Sequence, residues 1–130
     1  MNRTRRFRST PESVAGARRF AAEVLAGIPS DVLDMVQLMV SELATNCVRH
    51  ARAAFELTVA HAGREVRIEV TDDAGGQPEL RSPGPSDPTG RGLQIVGLFS
   101  DAWGVEHRSD DSTTVWFTVA AGVSSVTGCR

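Results

Sequence analysis

Hydrophobic residues recur at helical spacing in three stretches of the chain. The longest stretch predicts a helix from about Asp31 to Arg52. An earlier helix is predicted to begin at Thr10, which suits an N-cap and is followed by Pro11 at the first helical position. Gly27 suits the end of that helix. A third, shorter helix is predicted to be opened by the segment 90–93 and to carry the apolar residues from Leu93 to Phe99.

Alternating apolar and polar residues predict strands elsewhere, in the segments 5–9, 55–60, 66–71, 102–107 and 113–121. The second and third segments flank a turn and should form an antiparallel hairpin. Residues before Arg5 are predicted to form a loose terminus, 77–89 a surface loop rich in proline, and 122–130 a frayed tail.

This order of elements predicts one α+β domain over residues 1–130, with an ordered core at about 5–121. Neighbouring strands joined by short turns favour a two-layer α/β sandwich. Its sheet is expected to be mixed but mostly antiparallel, with the helices on one face.

Composition and charge narrow the functional classes. The net charge of −2 offers no broad basic field, so no nucleic-acid partner is expected. No apolar run reaches membrane length, so no membrane association is expected either. Cys47 and Cys129 do not form a disulfide framework, and two reduced thiols indicate a cytoplasmic protein.

Three polar residues share one side of the long predicted helix. Glu42, Asn46 and His50 are each four residues apart, which places them in one sector of a helix with 3.6 residues per turn. Together they can take a proton, bind a hydrated metal ion and contact phosphate. The alternative is that Glu42 and His50 are surface groups and Asn46 is a satisfied core amide.

Two glycine-rich segments offer further candidate chemistry. Asp72 ends an apolar strand before small residues, where a carboxylate can accept a hydrogen bond from an exocyclic amine such as N6 of adenine. The alternative is ordinary turn chemistry. The segment Gly90-Arg91-Gly92-Leu93 precedes a helix, where exposed backbone N–H groups favour an anion. It matches neither a Walker loop nor a Rossmann fingerprint, and the alternative is a plain helix start.

Taken together, these three elements resemble the N, G1 and G2 boxes of the GHKL ATPase superfamily, which includes gyrase, heat-shock chaperones, histidine kinases and mismatch-repair proteins. The run from Val40 to Ala51, VSELATNCVRHA, is especially similar to the N box of bacterial anti-sigma-factor serine kinases, the small single-domain members. The resemblance extends from the first predicted helix to the last strand. It implies a Bergerat-type nucleotide site for ATP and Mg²⁺.

The resemblance also implies roles for individual residues. Glu42 matches the general base, Asn46 the Mg²⁺ ligand, His50 a residue near the phosphates and Asp72 the carboxylate that binds adenine. The remaining nucleotide-binding positions are Gly76, Gly90, Arg91, Gly92, Leu93 and Thr114, with Thr114 supporting adenine and residues 77–89 forming the ATP lid.

The chain departs from the family pattern after the adenine carboxylate. Ala74 stands where the first glycine is usual, so an alternative alignment makes Asp73 the key acid and Gly75 its glycine. Strand alternation favours Asp72, because it falls two residues after Val70 and shares its side. Arg81 and Arg91 are the only cations of this lid region.

The resemblance implies a protein-serine kinase that sequesters a sigma factor and phosphorylates a serine of an anti-anti-sigma factor. It also implies a homodimer. Alternatively, the altered G1 box and short lid indicate an ATP-binding module that sequesters a partner without turnover. A fragment of a larger histidine kinase is disfavoured, because no helix pair bearing a phosphoacceptor histidine is present in the sequence.

Overall fold

The structure, a computed structural model, describes residues 1–50, 53–72, 88–108 and 111–121, with the backbone alone at 88–92. The alternating segments form strands, and the segments of helical spacing form helices. In chain order the elements are β1 (Asn2–Arg8), α1 (Pro11–Val24), α2 (Ser30–Arg49), β2 (Ala54–Ala62), β3 (Glu65–Asp72), α3 (Pro88–Phe99), β4 (Ala102–His107) and β5 (Thr113–Ala120).

The five strands form one open sheet in the order β1-β2-β3-β5-β4. Every neighbouring pair in this sheet is antiparallel, so the α+β prediction is confirmed but the expected mixed sheet is wrong. The reason is the path of the chain. Short connections join β2 to β3 and β4 to β5, and the pair α1–α2 returns the chain to the end of the sheet where β1 finished.

The core lies between the helices and one face of the sheet. On β3, Val66, Ile68 and Val70 are buried in the same cluster as residues of all three helices. We call this the helix-covered face. The alternate residues Arg67, Glu69 and Thr71 lie on the opposite side, which we call the open face, and they are half-buried.

An aromatic group ties the first strand to this core. The ring of Phe7 stacks on Phe55 across the β1–β2 pair, with centroids 5.4 Å apart, and meets Phe20 of α1 edge-on at 6.4 Å. Gly16 makes the approach possible, because a Cβ there would lie only 3.2 Å from the Phe7 ring. The glycine that is unfavourable for helix propensity therefore serves packing.

Several element boundaries differ from the sequence predictions. The N-terminus is not loose, since β1 begins at Asn2: the Met1 ammonium donates to the His61 carbonyl, and the His61 N–H donates to the Met1 carbonyl. The backbone pairing of an edge strand needs no apolar pattern, and so the sequence did not reveal it. Helix α2 ends at Arg49, earlier than expected. None of the described helices has both the length and the apolar character needed to span a bilayer.

Candidate functional site

The polar residues of α2 lie along the edge of its buried side. Glu42, Asn46 and His50 are each half-buried, whereas Leu43 and Cys47 between them belong to the core. Asn46 and His50 fall on successive turns, because the His50 N–H donates to the Asn46 carbonyl at 3.0 Å. His50 is the C-cap of the helix, so the three residues occupy its last two turns.

The side chains of Glu42 and Asn46 make no polar contact with the described residues. Within the described part of the chain, neither the Glu42 carboxylate nor the Asn46 carboxamide has a hydrogen-bond or ion-pair partner. Because both groups are only half-buried, water can satisfy them, and a ligand can replace that water. The described residues therefore do not show the satisfied core amide considered for Asn46.

The topology brings the end of α2 to the same end of the sheet as Asp72. Strand β2 starts at Ala54, shortly after the C-cap His50, and its Phe55 lies directly across from Asp72. Thr113, the first residue of β5, lies across from Asp72 on the other side. The ends of α2 and β3 and the beginning of β5 therefore meet at one end of the sheet.

The orientation of Asp72 is fixed by β5. The Thr113 N–H donates to Oδ1 of Asp72 at 3.3 Å, and the carboxylate is half-buried. By strand alternation Asp72 shares the helix-covered face with Val70, as the sequence predicted. A carboxylate held at this rim can accept a hydrogen bond from a flat ring that enters beside α2.

Thr114 does not lie beside Asp72. Its hydroxyl is hydrogen-bonded to Thr71 Oγ1 at 2.7 Å and accepts from Arg108 Nε at 3.0 Å, which places it on the open face. The hydroxyl predicted to support adenine therefore lies on the other face of β5 from Asp72, and Thr113 is the threonine on the face of Asp72. The alternation of Val115, Phe117 and Val119 on β5 would have given Thr113, because residues of the same parity share a face.

The glycine-rich segment lies within α3 rather than before it. Because α3 begins at Pro88, the backbone of Gly90, Arg91 and Gly92 is already helical. Leu93 is half-buried and packs against the core. The helix ends at the other end of the sheet from Asp72, since the adjoining Asp101 N–H donates to the Thr118 carbonyl.

The remaining predicted positions lie outside the described residues. These are Asp73, Ala74, Gly75, Gly76 and the loop positions 77–87 of the predicted ATP lid. The choice between Asp72 and Asp73 as the adenine carboxylate therefore rests on the strand alternation and on the Thr113 contact.

Comparison with known families agrees with this geometry. The family model described as the histidine kinase-like ATPase domain matches residues 7–119. The chain belongs to this family. The match runs from the end of β1 to the last residues of β5, and so it includes α2, Asp72 and α3. A comparison with curated proteins gave no match.

Membership of the histidine kinase-like ATPase family supports ATP binding and an ATP-dependent regulatory or kinase activity. The residues of α2 fit the metal that accompanies ATP in such domains. Mg²⁺ prefers oxygen ligands and keeps few protein contacts when phosphates are present, so one carboxamide such as Asn46 is sufficient. The described ranges contain no cluster of three or more His, Cys, Asp or Glu residues that could hold a metal ion without phosphate.

Proposed function

We propose that this chain is an ATP-dependent protein-serine kinase that acts as an anti-sigma factor. It would sequester a sigma factor and phosphorylate a serine of an anti-anti-sigma factor. The observation that carries the kinase assignment is the pair Glu42 and Asn46, one helical turn apart, half-buried and without protein partners in the described residues. The similarity of the α2 sequence to the N box of these kinases supports the partners.

In this proposal each side of the site has a separate task. Asp72 accepts a hydrogen bond from the adenine amine, with Thr113 holding its carboxylate. The Asn46 carboxamide oxygen would hold Mg²⁺, and Mg-ATP supplies the phosphoryl group together with neutralisation of its charge. His50, at the end of the same helix, would contact the phosphates together with the first turns of α3, which contain Gly90, Arg91 and Gly92.

Glu42 takes the proton from the attacking serine hydroxyl. With Mg²⁺ held by Asn46, a carboxylate one helical turn away would lie within reach of the attacking hydroxyl, which is where a general base is needed. Phosphoryl transfer depends mainly on positioning and charge neutralisation, so the protein needs few other reactive groups.

Replacement of Glu42 tests the kinase assignment. Purified protein, Mg-ATP and a candidate anti-anti-sigma factor are incubated, and phosphoserine is measured by mass spectrometry while ATP affinity is measured by calorimetry. We expect Glu42→Gln to lower phosphotransfer by about 10²–10⁴-fold, the usual contribution of a general base, with ATP affinity nearly unchanged. Asp72→Asn should instead weaken ATP binding, and the exposed Glu23→Gln on α1 is the matched control for both. Equal phosphotransfer by Glu42→Gln and wild type would refute the role of Glu42.

The second candidate function is an ATP-binding module that holds a partner without turnover. Ala74, where the family carries a glycine, is the feature that favours it. Tight ATP binding by the wild type with no phosphoserine on any antagonist would support the module and exclude the kinase. A homodimer is expected in either case, and sedimentation velocity of the isolated protein tests that expectation.

A further inference from the structure

Strand β1 forms an edge of the sheet. It pairs with β2 along its whole length, and no strand of the described residues pairs with its other side. Of its residues only Phe7 is half-buried, and the others are exposed. An edge of this kind presents backbone N–H and C=O groups that a further strand can bind.

The side chains of this edge are strongly basic. Four of its residues are arginines: Arg3, Arg5, Arg6 and Arg8. Arg3 and Arg5 share the helix-covered face with Phe7, and their guanidinium carbons lie 5.7 Å and 5.4 Å from the centroid of the Phe20 ring. Two positive charges therefore lie beside the same aromatic ring of α1 at this edge of the sheet.

Arg3 and Arg5 have no acidic partner among the residues that the structure describes. Arg6, on the open face, faces Glu56 at 3.7 Å. By contrast, neither Arg3 nor Arg5 forms an ion pair within the described ranges. Since the whole chain has a net charge of −2, this edge is a local exception to an otherwise slightly acidic protein.

We infer that the edge of β1 binds an acidic, extended segment of a partner protein, which adds to the sheet as a sixth strand. Residues two apart on a strand lie on one face about 6.8 Å from each other. Carboxylates at alternate positions of the added strand would therefore face Arg3 and Arg5 and form charge-assisted hydrogen bonds. The inference does not depend on the proposed kinase function, because none of these residues belongs to the ATP site.

The charges disfavour other occupants of this edge. A second copy of the chain paired through β1 would place arginines opposite arginines, and like charges directly opposite are destabilising. Nucleic acid could meet the charges, but its phosphate backbone has no N–H donors for the outward-facing carbonyl groups of the strand. Arginines can also serve only to keep an edge from aggregating, and that role needs no partner at all.

A peptide-binding experiment tests the inference on the full chain. The probe is a fluorescein-labelled peptide with glutamate at every second position and threonine or valine between, and binding is followed by anisotropy. We expect it to bind at least about tenfold more tightly than the same peptide with glutamine in place of glutamate. Methylation of alternate backbone nitrogens of the peptide should abolish binding, because it blocks strand pairing while leaving the charges in place.

Variants of the protein locate the site. The double variant Arg3→Glu/Arg5→Glu should lose the glutamate peptide and gain affinity for a peptide with lysine at the same positions. Arg18→Glu/Arg19→Glu, two exposed positions on α1, is the matched control and should bind like the wild type. Thermal unfolding establishes that each variant is folded. The variant Arg3→Gln/Arg5→Gln is a milder change, because it removes the two charges without reversing them.

Several outcomes would overturn the inference. One is equal binding of the methylated peptide, since this would show attraction by charge without strand addition. Another is preferential binding of single-stranded DNA that the Arg3→Glu/Arg5→Glu variant loses. A third is no peptide binding by the wild type together with self-association of that variant in sedimentation, which would make the arginines purely protective. A wild-type dimer that dissociates in the variant would assign the edge to a second copy.

Discussion

The two faces of the sheet use the same strands but are stabilised in different ways. On β5, Phe117 is fully buried on the helix-covered face, whereas its neighbour Trp116 is half-buried on the open face. The helix-covered face depends on apolar burial. The open face depends on directed pairs of side chains, such as Arg67 over Trp116 at 4.4 Å and Thr71 with Thr114 at 2.7 Å.

This difference bears on where the proposed nucleotide would bind. At the end that carries Asp72, the helix-covered face borders α2 and its polar residues Glu42 and Asn46. The open face at the same end is closed by the threonine pair and Arg108. Substitutions at neighbouring positions of one strand should therefore differ in their effects on stability and on ATP binding, according to the face that carries the side chain.

The largest effect is expected from Phe117→Ala. Removing a fully buried aromatic side chain leaves a cavity, and the expected loss of unfolding free energy is about 3–5 kcal/mol. The matched change on the open face is Trp116→Ala, for which we expect only about 1–2 kcal/mol, because the indole is half-buried and solvent replaces part of its contacts. Urea unfolding followed by circular dichroism measures both. Equal losses at the two positions would mean that the open face is buried by something beyond the described residues.

An intermediate effect is expected from Gly104→Ala on β4. Gly104 lies across from Trp116, and a Cβ at Gly104 would lie 2.8 Å from the indole Nε1 and 2.9 Å from two ring carbons. The ring cannot move without disturbing its contact with Arg67, so we expect a destabilisation of about 1–3 kcal/mol.

The double variant Gly104→Ala/Trp116→Ala is the control for this interpretation. Without the indole there is no clash, so the alanine at position 104 should then cost less than in the wild-type background. A cost that stays the same in both backgrounds would attribute the effect to the backbone of β4 and not to the open face.

The predictability of the fold follows from the same contrast between faces. The periodic apolar positions of α1, α2, β2, β3 and β5 gave the helices, the hairpin and the core correctly, because burial imposes a regular spacing on the sequence. Strand β1 was expected only in part. Its pairing with β2 involves backbone groups and exposed arginines, which leave no such spacing.

The candidate site was predictable to the extent that one element contains it. Glu42, Asn46 and His50 were placed together correctly, since helical geometry relates them without reference to the rest of the chain. Thr113 was not predicted, although the alternation of Val115, Phe117 and Val119 already puts it on their face; its position across from Asp72 depends on the register of β5 against β3. Asp72 was favoured by alternation, but its contact with Thr113 comes from that register too.

A small effect on stability, similar to that of Trp116→Ala, and the sharpest test of the two faces are expected from Thr114→Val. The substitution keeps the shape and the buried methyl but removes a hydroxyl that bonds to Thr71 and Arg108, so we expect a loss of about 1–2 kcal/mol in urea unfolding. ATP affinity measured by calorimetry should stay within about twofold of the wild type, because this hydroxyl lies on the face away from Asp72.

Thr113→Pro is the contrasting variant, since it removes the N–H that donates to Asp72 Oδ1. Proline also disturbs pairing at the start of β5. The ATP affinity of Thr113→Pro is therefore compared with that of Thr71→Pro, in which proline disturbs the adjacent end of β3. If Thr114→Val weakened ATP binding as strongly as Asp72→Asn, the hydroxyl of Thr114 would act on the nucleotide through the sheet. The two faces of the sheet would then not act independently at the proposed ATP site, where their independence matters for function.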